Sequence, residues 1–229
     1  MRTKQFFFFA IILALTTVAA NAQTVDFQSA LRRGDMLVDQ EKYHAAIEEY
    51  SKVTSHAGEL YARATYNIGV CHYELWQTDE AIAFYKRAIE LKGGNYPRAS
   101  YALGVALEGQ GQLAEAKVAY EHAVNFSHRE FAPAIYHLGI LEAKAGALYK
   151  AAALFKEAAA INGPHVPGSH NNLGVMLLRL GSLNEAEQEF VIALKTSKGQ
   201  LTDAVKNLNL CRSLNATVTA TTVARKAQN

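Results

Sequence analysis

Several things are scarce in this chain, and each scarcity closes off a class of protein. There are two cysteines in 229 residues, Cys71 and Cys211, so no disulfide framework can staple the fold. They lie near opposite ends of the region that carries the pattern described below. A bridge needs Cα atoms within about 7 Å, so they read as two small buried side chains. Charge of one sign is also missing: 23 Lys and Arg face 21 Asp and Glu. That balance gives no electrostatic case for binding nucleic acid. No Gly-rich phosphate loop, no Gly-x-Ser-x-Gly and no zinc motif is present. His165 and His170 flank a Pro-Gly turn, but a pair without a nearby Cys or carboxylate in sequence is a weak metal signal, and both read as loop residues. The sequence therefore predicts no catalytic residues, no metal, no cofactor and no enzyme.

The long apolar run is confined to the start. Arg2 and Lys4 precede an apolar stretch from Phe6 to Leu15, too short to span a bilayer comfortably. Ala20-Asn21-Ala22 then fits the small-x-small cleavage rule. Residues 1–22 read as a secretory signal peptide, and the chain as exported, periplasmic or secreted, with no stable membrane insertion after cleavage. The cleavage site has no cysteine beside it, which argues against a bacterial lipid anchor. Losing Arg2 and Lys4 leaves 21 charges of each sign.

What the chain does have is a period. Gly34, Gly69, Gly104, Gly139 and Gly174 are 35 residues apart. Twelve residues after each glycine comes an alanine: Ala46, Ala81, Ala116, Ala151 and Ala186. Four further on is an aromatic: Tyr50, Tyr85, Tyr120, Phe155 and Phe190. Three after that is a small residue: Val53, Ala88, Ala123, Ala158 and Ala193. Four classes in register through five copies define a repeat protein, and repeats of this size build solenoids.

Each unit reads as a helical hairpin. Pro97 suits a first helical turn, where its missing N–H costs nothing. Tyr101, Leu103, Gly104 and Leu107 fall at helical spacing, Gly109-Gln110-Gly111 breaks the helix, and a second starts near Leu113 with Ala116, Tyr120, Ala123 and Val124 on one stripe. The turn glycine recurs at Gly111, Gly146 and Gly181, with Glu41 and Trp76 in its place in the first two units. Glycine in the first helix and alanine in the second are expected to let the two backbones approach, with the aromatic filling the space between hairpins.

These residues resemble the tetratricopeptide repeat (TPR) family, whose signature runs Leu-Gly-x-x-Tyr and then Ala-x-x-x-Phe over about 34 residues. The matching runs are Asn67-Ile68-Gly69, Ala102-Leu103-Gly104, His137-Leu138-Gly139 and Asn172-Leu173-Gly174. There are departures. Leu37, His72, Leu107, Glu142 and Leu177 replace the tyrosine after the glycine, the early tryptophan is absent, and the period is one residue longer. His72 reads as a packed residue. The resemblance implies an all-α fold: a right-handed α-solenoid of five helix-turn-helix repeats over about 27–61, 62–96, 97–131, 132–166 and 167–199, within 23–214. A capping helix is expected over 200–214, with Leu201, Val205, Leu208 and Cys211 inward and Lys206, Asn209 and Arg212 outward. Residues 215–229, rich in Thr and Ala, read as a disordered tail.

In that family the first helices of successive repeats line a concave groove that holds peptides or protein segments. The groove implied here has a tyrosine ladder at Tyr66, Tyr101 and Tyr136, followed by Asn171. Branched aliphatics follow at Val70, Val105 and Ile140, and Asn67, His137 and Asn172 lie along one side. Tyrosine offers rigid apolar area with a polar tip, and amides can bond a peptide backbone without reading its sequence. The subtype that clamps a chaperone's C-terminal carboxylate is not matched. Leu31 and Asp35 stand where it has Lys and Asn, although Asn67 does match its second-repeat asparagine. Two functions stay open at this point. One is an exported scaffold for a protein or peptide partner, in envelope assembly, secretion or pilus biogenesis. The other is a structural module that self-associates into a homo-oligomer.

Overall fold

The computed structural model describes residues 26–228; the signal-peptide reading of 1–22 lies outside them. Among the described residues there are eleven α-helices and no strand. They are α1 (26–38), α2 (Tyr43–Ser51), α3 (Glu59–Glu74), α4 (Thr78–Leu91), α5 (Pro97–Gly109), α6 (Leu113–Phe126), α7 (Ala132–Lys144), α8 (Leu148–Ala160), α9 (Val166–Arg179), α10 (Leu183–Thr196) and α11 (Thr202–Gln228). This is the expected class: five helical hairpins and a further helix. No helix here is long and apolar enough to cross a membrane. The described helices gather into two compact units, one ending at Gln110 and the other beginning at Gly111.

The repeat register is written into the backbone. Glu41, Trp76, Gly111, Gly146 and Gly181, spaced by the period, all take positive φ between 58° and 84°. Each sits just past the end of an odd-numbered helix. The next N–H reaches back five residues, as in Gln77 to His72 at 2.9 Å and Ser182 to Leu177 at 2.9 Å, and so closes the helix end. Three of the even-numbered helices, α4, α6 and α10, end with two left-handed residues: Gly93 and Gly94, His128 and Arg129, Lys198 and Gly199. Trp76 is the odd member, since a bulky side chain in the left-handed region costs about 1–2 kcal/mol and this one is 91% exposed. Trp76→Gly is expected to raise stability by up to about 1 kcal/mol, read from urea midpoints.

Every alanine, aromatic and small residue of the three later columns is buried. The glycine column works differently from the expectation. A Cβ built on Gly34, Gly69, Gly139 or Gly174 would meet the ring of Tyr50, Tyr85, Phe155 or Phe190 of the same hairpin, at 2.3 to 2.8 Å. The glycine thus makes room for the aromatic, not for the facing alanine backbone. The ring is then shared with the next hairpin: Phe155 clusters with Leu173 and Met176, and Phe190 with Leu208 and Cys211. Burying such a side chain is worth about 1.5–3 kcal/mol, so the aromatic couples each hairpin to its successor.

The C-terminal helix departs from expectation twice. It is not confined to 200–214 with a disordered tail after it; it runs from Thr202 to Gln228. No Gly or Pro follows Gly199 to stop it. Thr217, Thr219 and Thr221 bond the carbonyls four residues back at 2.9–3.0 Å, which satisfies their hydroxyls within the helix. The buried stripe is Ala204, Leu208 and Cys211, and Val205 is 41% exposed, not inward. Cys211 stands four periods after Cys71, so α11 is a first helix in the repeat register without its partner helix. Both cysteines are free and buried, and burial raises the Cys71 thiol to about 11. α3 begins at Glu59, ahead of the expected repeat start at 62, because Gly58 at φ 55° turns the chain early.

Candidate interaction face

In the first unit the site is built around Asp35 on α1. Its carboxylate accepts from Tyr50 Oη at 2.8 Å, Asn67 Nδ2 at 3.1 Å and Arg63 Nη2 at 2.6 Å. Burial and this carboxylate together push the Tyr50 hydroxyl far up from its ordinary value. Asn67, expected to offer its amide to a ligand, thus spends a donor on holding α3 against α1. Val70 and Asn67 line a shallow depression with Asp35, Val38, Asp39 and Tyr50. Tyr66 is half-buried, its ring 5.4 Å from Tyr96 and 5.8 Å from Tyr85. Tyr101 and Val105 on α5 are half-buried as well, and burial raises the Tyr101 hydroxyl.

The second unit carries a chain of polar contacts along one edge. Asn172 Nδ2 donates to Tyr136 Oη at 3.2 Å, Asn171 Nδ2 to Asn172 Oδ1 at 3.2 Å, and Asn207 Nδ2 to Asn171 Oδ1 at 2.9 Å. Three odd-numbered helices, α7, α9 and α11, are tied by it. Asn171 is buried, which takes it out of the surface where the sequence reading put it. Tyr136 packs on Phe155 at 5.8 Å and on His165 at 5.2 Å, and burial lowers the His165 pKa. His137 lies 5.4 Å from the Tyr120 ring. Ile140 and Asn172 line a cavity of about 360 Å³ with Ala143, Lys144, Phe155, Val175, Met176 and Arg179.

The expected ladder residues are therefore partly scaffold. Their rings and amides lock successive hairpins, and the branched aliphatics Val70, Val105, Ile140 and Val175 are left half-buried beside them. Sequence reading missed Lys144 and Arg179. The signal was there: five residues after each glycine lies on the same helix face as one after it, and that column reads Asp39, Glu74, Gly109, Lys144, Arg179. The histidines have structural partners. His72 stacks on Phe84 at 5.1 Å and an interplanar angle of 11°, and His170 meets Glu189 at 2.6 Å.

Glu142 replaces an apolar core residue at the position of Leu107 and Leu177. Its buried carboxylate is held by Lys117 at 2.8 Å and Lys150 at 2.6 Å, which keep it below the usual glutamate value of 4.5. A lowered folded pKa gives stability that is full above the unfolded value and is lost as pH falls through the folded one. Glu142→Leu is expected to remove that acid-side loss below pH 4.5 while changing neutral stability little. Glu142→Gln, which strands two half-exposed lysines, should cost about 1–2 kcal/mol at pH 7. Urea titrations at pH 7 and pH 4 check both.

Comparison with known proteins agrees with this geometry. Tetratricopeptide repeat family models match residues 31–96 and 136–200, and a second such model matches 97–127. The chain belongs to the tetratricopeptide repeat family, a class of repeat scaffolds for protein–protein interaction. No curated protein matches. Among solved structures it is similar in fold to MamA from Desulfovibrio magneticus RS-1, with 19% identity and a TM-score of 0.61 over 77% of this chain and 97% of that one. It is also similar to YrrB, described as a TPR protein with an unusual peptide-binding site (20%, TM-score 0.60, 84% and 95%). A third is TTC0263, a thermophilic TPR protein of Thermus thermophilus (23%, TM-score 0.53, 80% and 97%).

Proposed function

We propose that this protein is an exported scaffold that holds a peptide or protein segment on the face formed by its odd-numbered helices. One observation carries the reading. The position after the second to fifth repeat glycines holds Val70, Val105, Ile140 and Val175, and all four stay half-buried beside fully buried columns. Aliphatics left partly open in this way within each unit suit an apolar partner segment. The peptide-binding site named for YrrB supports the same use of the fold. Export rests on the amino-terminal pattern of Arg2, the apolar run and Ala20-Asn21-Ala22. An exported scaffold of this kind fits work in envelope assembly, secretion or pilus biogenesis.

Two measurements test it. Fractionation of the source cells should place the protein outside the cytoplasm with Gln23 as its first residue; a cytoplasmic chain that still begins at Met1 refutes export. Val175→Asp should abolish capture of crosslinked partners from that fraction without loss of helical signal. Capture unchanged by this substitution sinks the aliphatic row as the binding surface. Sedimentation that shows a concentration-dependent oligomer broken by Val175→Asp favours self-association instead.

A further inference from the structure

Asparagine followed by glycine occurs once in this chain, at Asn162-Gly163. The pair lies between α8 and α9. α8 closes at Ala160, Ile161 is extended at φ −95° and ψ 121°, and α9 opens at Val166. Both residues of the pair are exposed and outside any helix. The Gly163 carbonyl accepts from Val166 N at 3.2 Å, while the Gly163 N–H makes no backbone hydrogen bond among the described residues. The neighbouring asparagines are placed differently. Asn171 and Asn172 stand inside α9, with their amides engaged by each other, by Asn207 and by Tyr136. The N–H groups that follow them are helical as well, and helix bonds hold such groups.

We infer that Asn162 is a self-modification site, converted by its own backbone and water to aspartate and isoaspartate. The Gly163 nitrogen attacks Asn162 Cγ. The new C–N bond closes a succinimide ring as the Cγ–NH2 bond breaks, and ammonia leaves with the Gly163 proton. Water then adds to one of the two ring carbonyls and breaks its bond to that nitrogen. Opening at Cγ gives aspartate. Opening at the backbone carbonyl leaves the chain running through Cβ and Cγ, which is isoaspartate. Ammonia is exchanged for water, a carboxylate is gained and nothing is oxidised. Glycine favours the attack because it has no Cβ to obstruct the approach. An exposed loop lets side chain and backbone meet, which a helical N–H resists. The product acts locally. Three residues on, the His165 ring lies 5.2 Å from the ring of Tyr136. Isoaspartate lengthens that connection by one backbone atom, and either product sets a negative charge beside it. The conversion runs one way, so the ratio of forms records the age of the molecule. None of this depends on the groove reading above.

The test incubates the full mature chain at neutral and at mildly alkaline pH and samples it over weeks. Trypsin then releases the segment Glu157–Arg179, which carries Asn162, Asn171 and Asn172 together. Mass spectrometry with electron-transfer fragmentation should find the amide NH2 replaced by OH at position 162, as aspartate and isoaspartate together. The change should run faster at the higher pH, which frees the attacking nitrogen of its proton. Its rate should lie within tenfold of that of the same segment as a synthetic peptide, while positions 171 and 172 stay amides in the folded chain. Asn162→Gln, shown to be folded by its melting curve, should lose the change at 162. A folded chain that converts more than a hundredfold more slowly than the free peptide overturns the inference, because the fold then protects the pair. Conversion at 171 or 172 as fast as at 162 overturns the assignment to this loop. Aspartate formed without isoaspartate overturns the succinimide route.

Discussion

Gly174→Ala should destabilise this protein by about 1–3 kcal/mol, although alanine is the better helix former by nearly 1 kcal/mol. The added Cβ would lie 2.6 Å from Phe190 Cε1 and 2.8 Å from its Cδ1. Phe190 is fully buried and shares its cluster with Ala186, Leu208 and Cys211, so the ring has nowhere to go. Overpacking therefore beats propensity. Two controls separate the terms. Gly109→Ala, at a helical glycine with nothing within 4 Å, should stabilise by about 0.5–1 kcal/mol. Combining Gly174→Ala with Phe190→Leu should cost less than the sum of the two single changes, since the smaller side chain opens the space the new methyl needs. Equal effects at positions 109 and 174 would show that the ring is not held against the glycine.

Tyr136→Ala should cost about 2–4 kcal/mol in unfolding free energy, on the scale of aromatic truncations reduced for partial exposure. The ring leaves Phe155 and His165, and Asn172 Nδ2 loses its acceptor. Tyr136→Phe, which keeps the rings packed and removes only the hydroxyl, should cost about 1 kcal/mol. A gap of this kind in urea midpoints marks the tyrosine ladder as scaffold. If Tyr136→Ala matches the native midpoint, the ring is a free surface group and the packing assigned to it is wrong. This bears on experimental design: the groove is better probed through the exposed Arg179 than through the tyrosines, whose loss confounds binding with stability.

The hairpins were legible because their signals are local and repeated. A turn residue every 35 positions and an alanine twelve after each glycine report on contacts within one unit, where spacing translates directly into geometry. Trp76 and Glu41 could be aligned with the turn glycines from spacing alone, and their positive φ values follow. The site was less legible because its contacts cross between units of the repeat. Asn67 finds Asp35 thirty-two residues away, and Asn171 finds Asn207 thirty-six away. Spacing places such residues on one face but does not say which atoms bond each other. Residue types suited to grip a ligand are equally suited to grip a neighbouring helix, and here the amides do the latter. The tail was misjudged for a different reason. Its Thr-rich composition reads as poor helix former by propensity, whereas continuation from a docked α11 needs no new nucleus and the threonine hydroxyls bond back onto the helix.

The central claim is that partners sit on the face of the odd-numbered helices. Site-specific photocrosslinking in the native cell tests it most directly, with a benzophenone amino acid placed in turn at Val70, Val175 and Ala153. Ala153 is the comparison, an exposed residue of α8, an even-numbered helix. The account predicts partner adducts from positions 70 and 175 and none from 153. Adducts from 153 with none from 70 or 175 would contradict it and move the binding surface to the other face of the repeats.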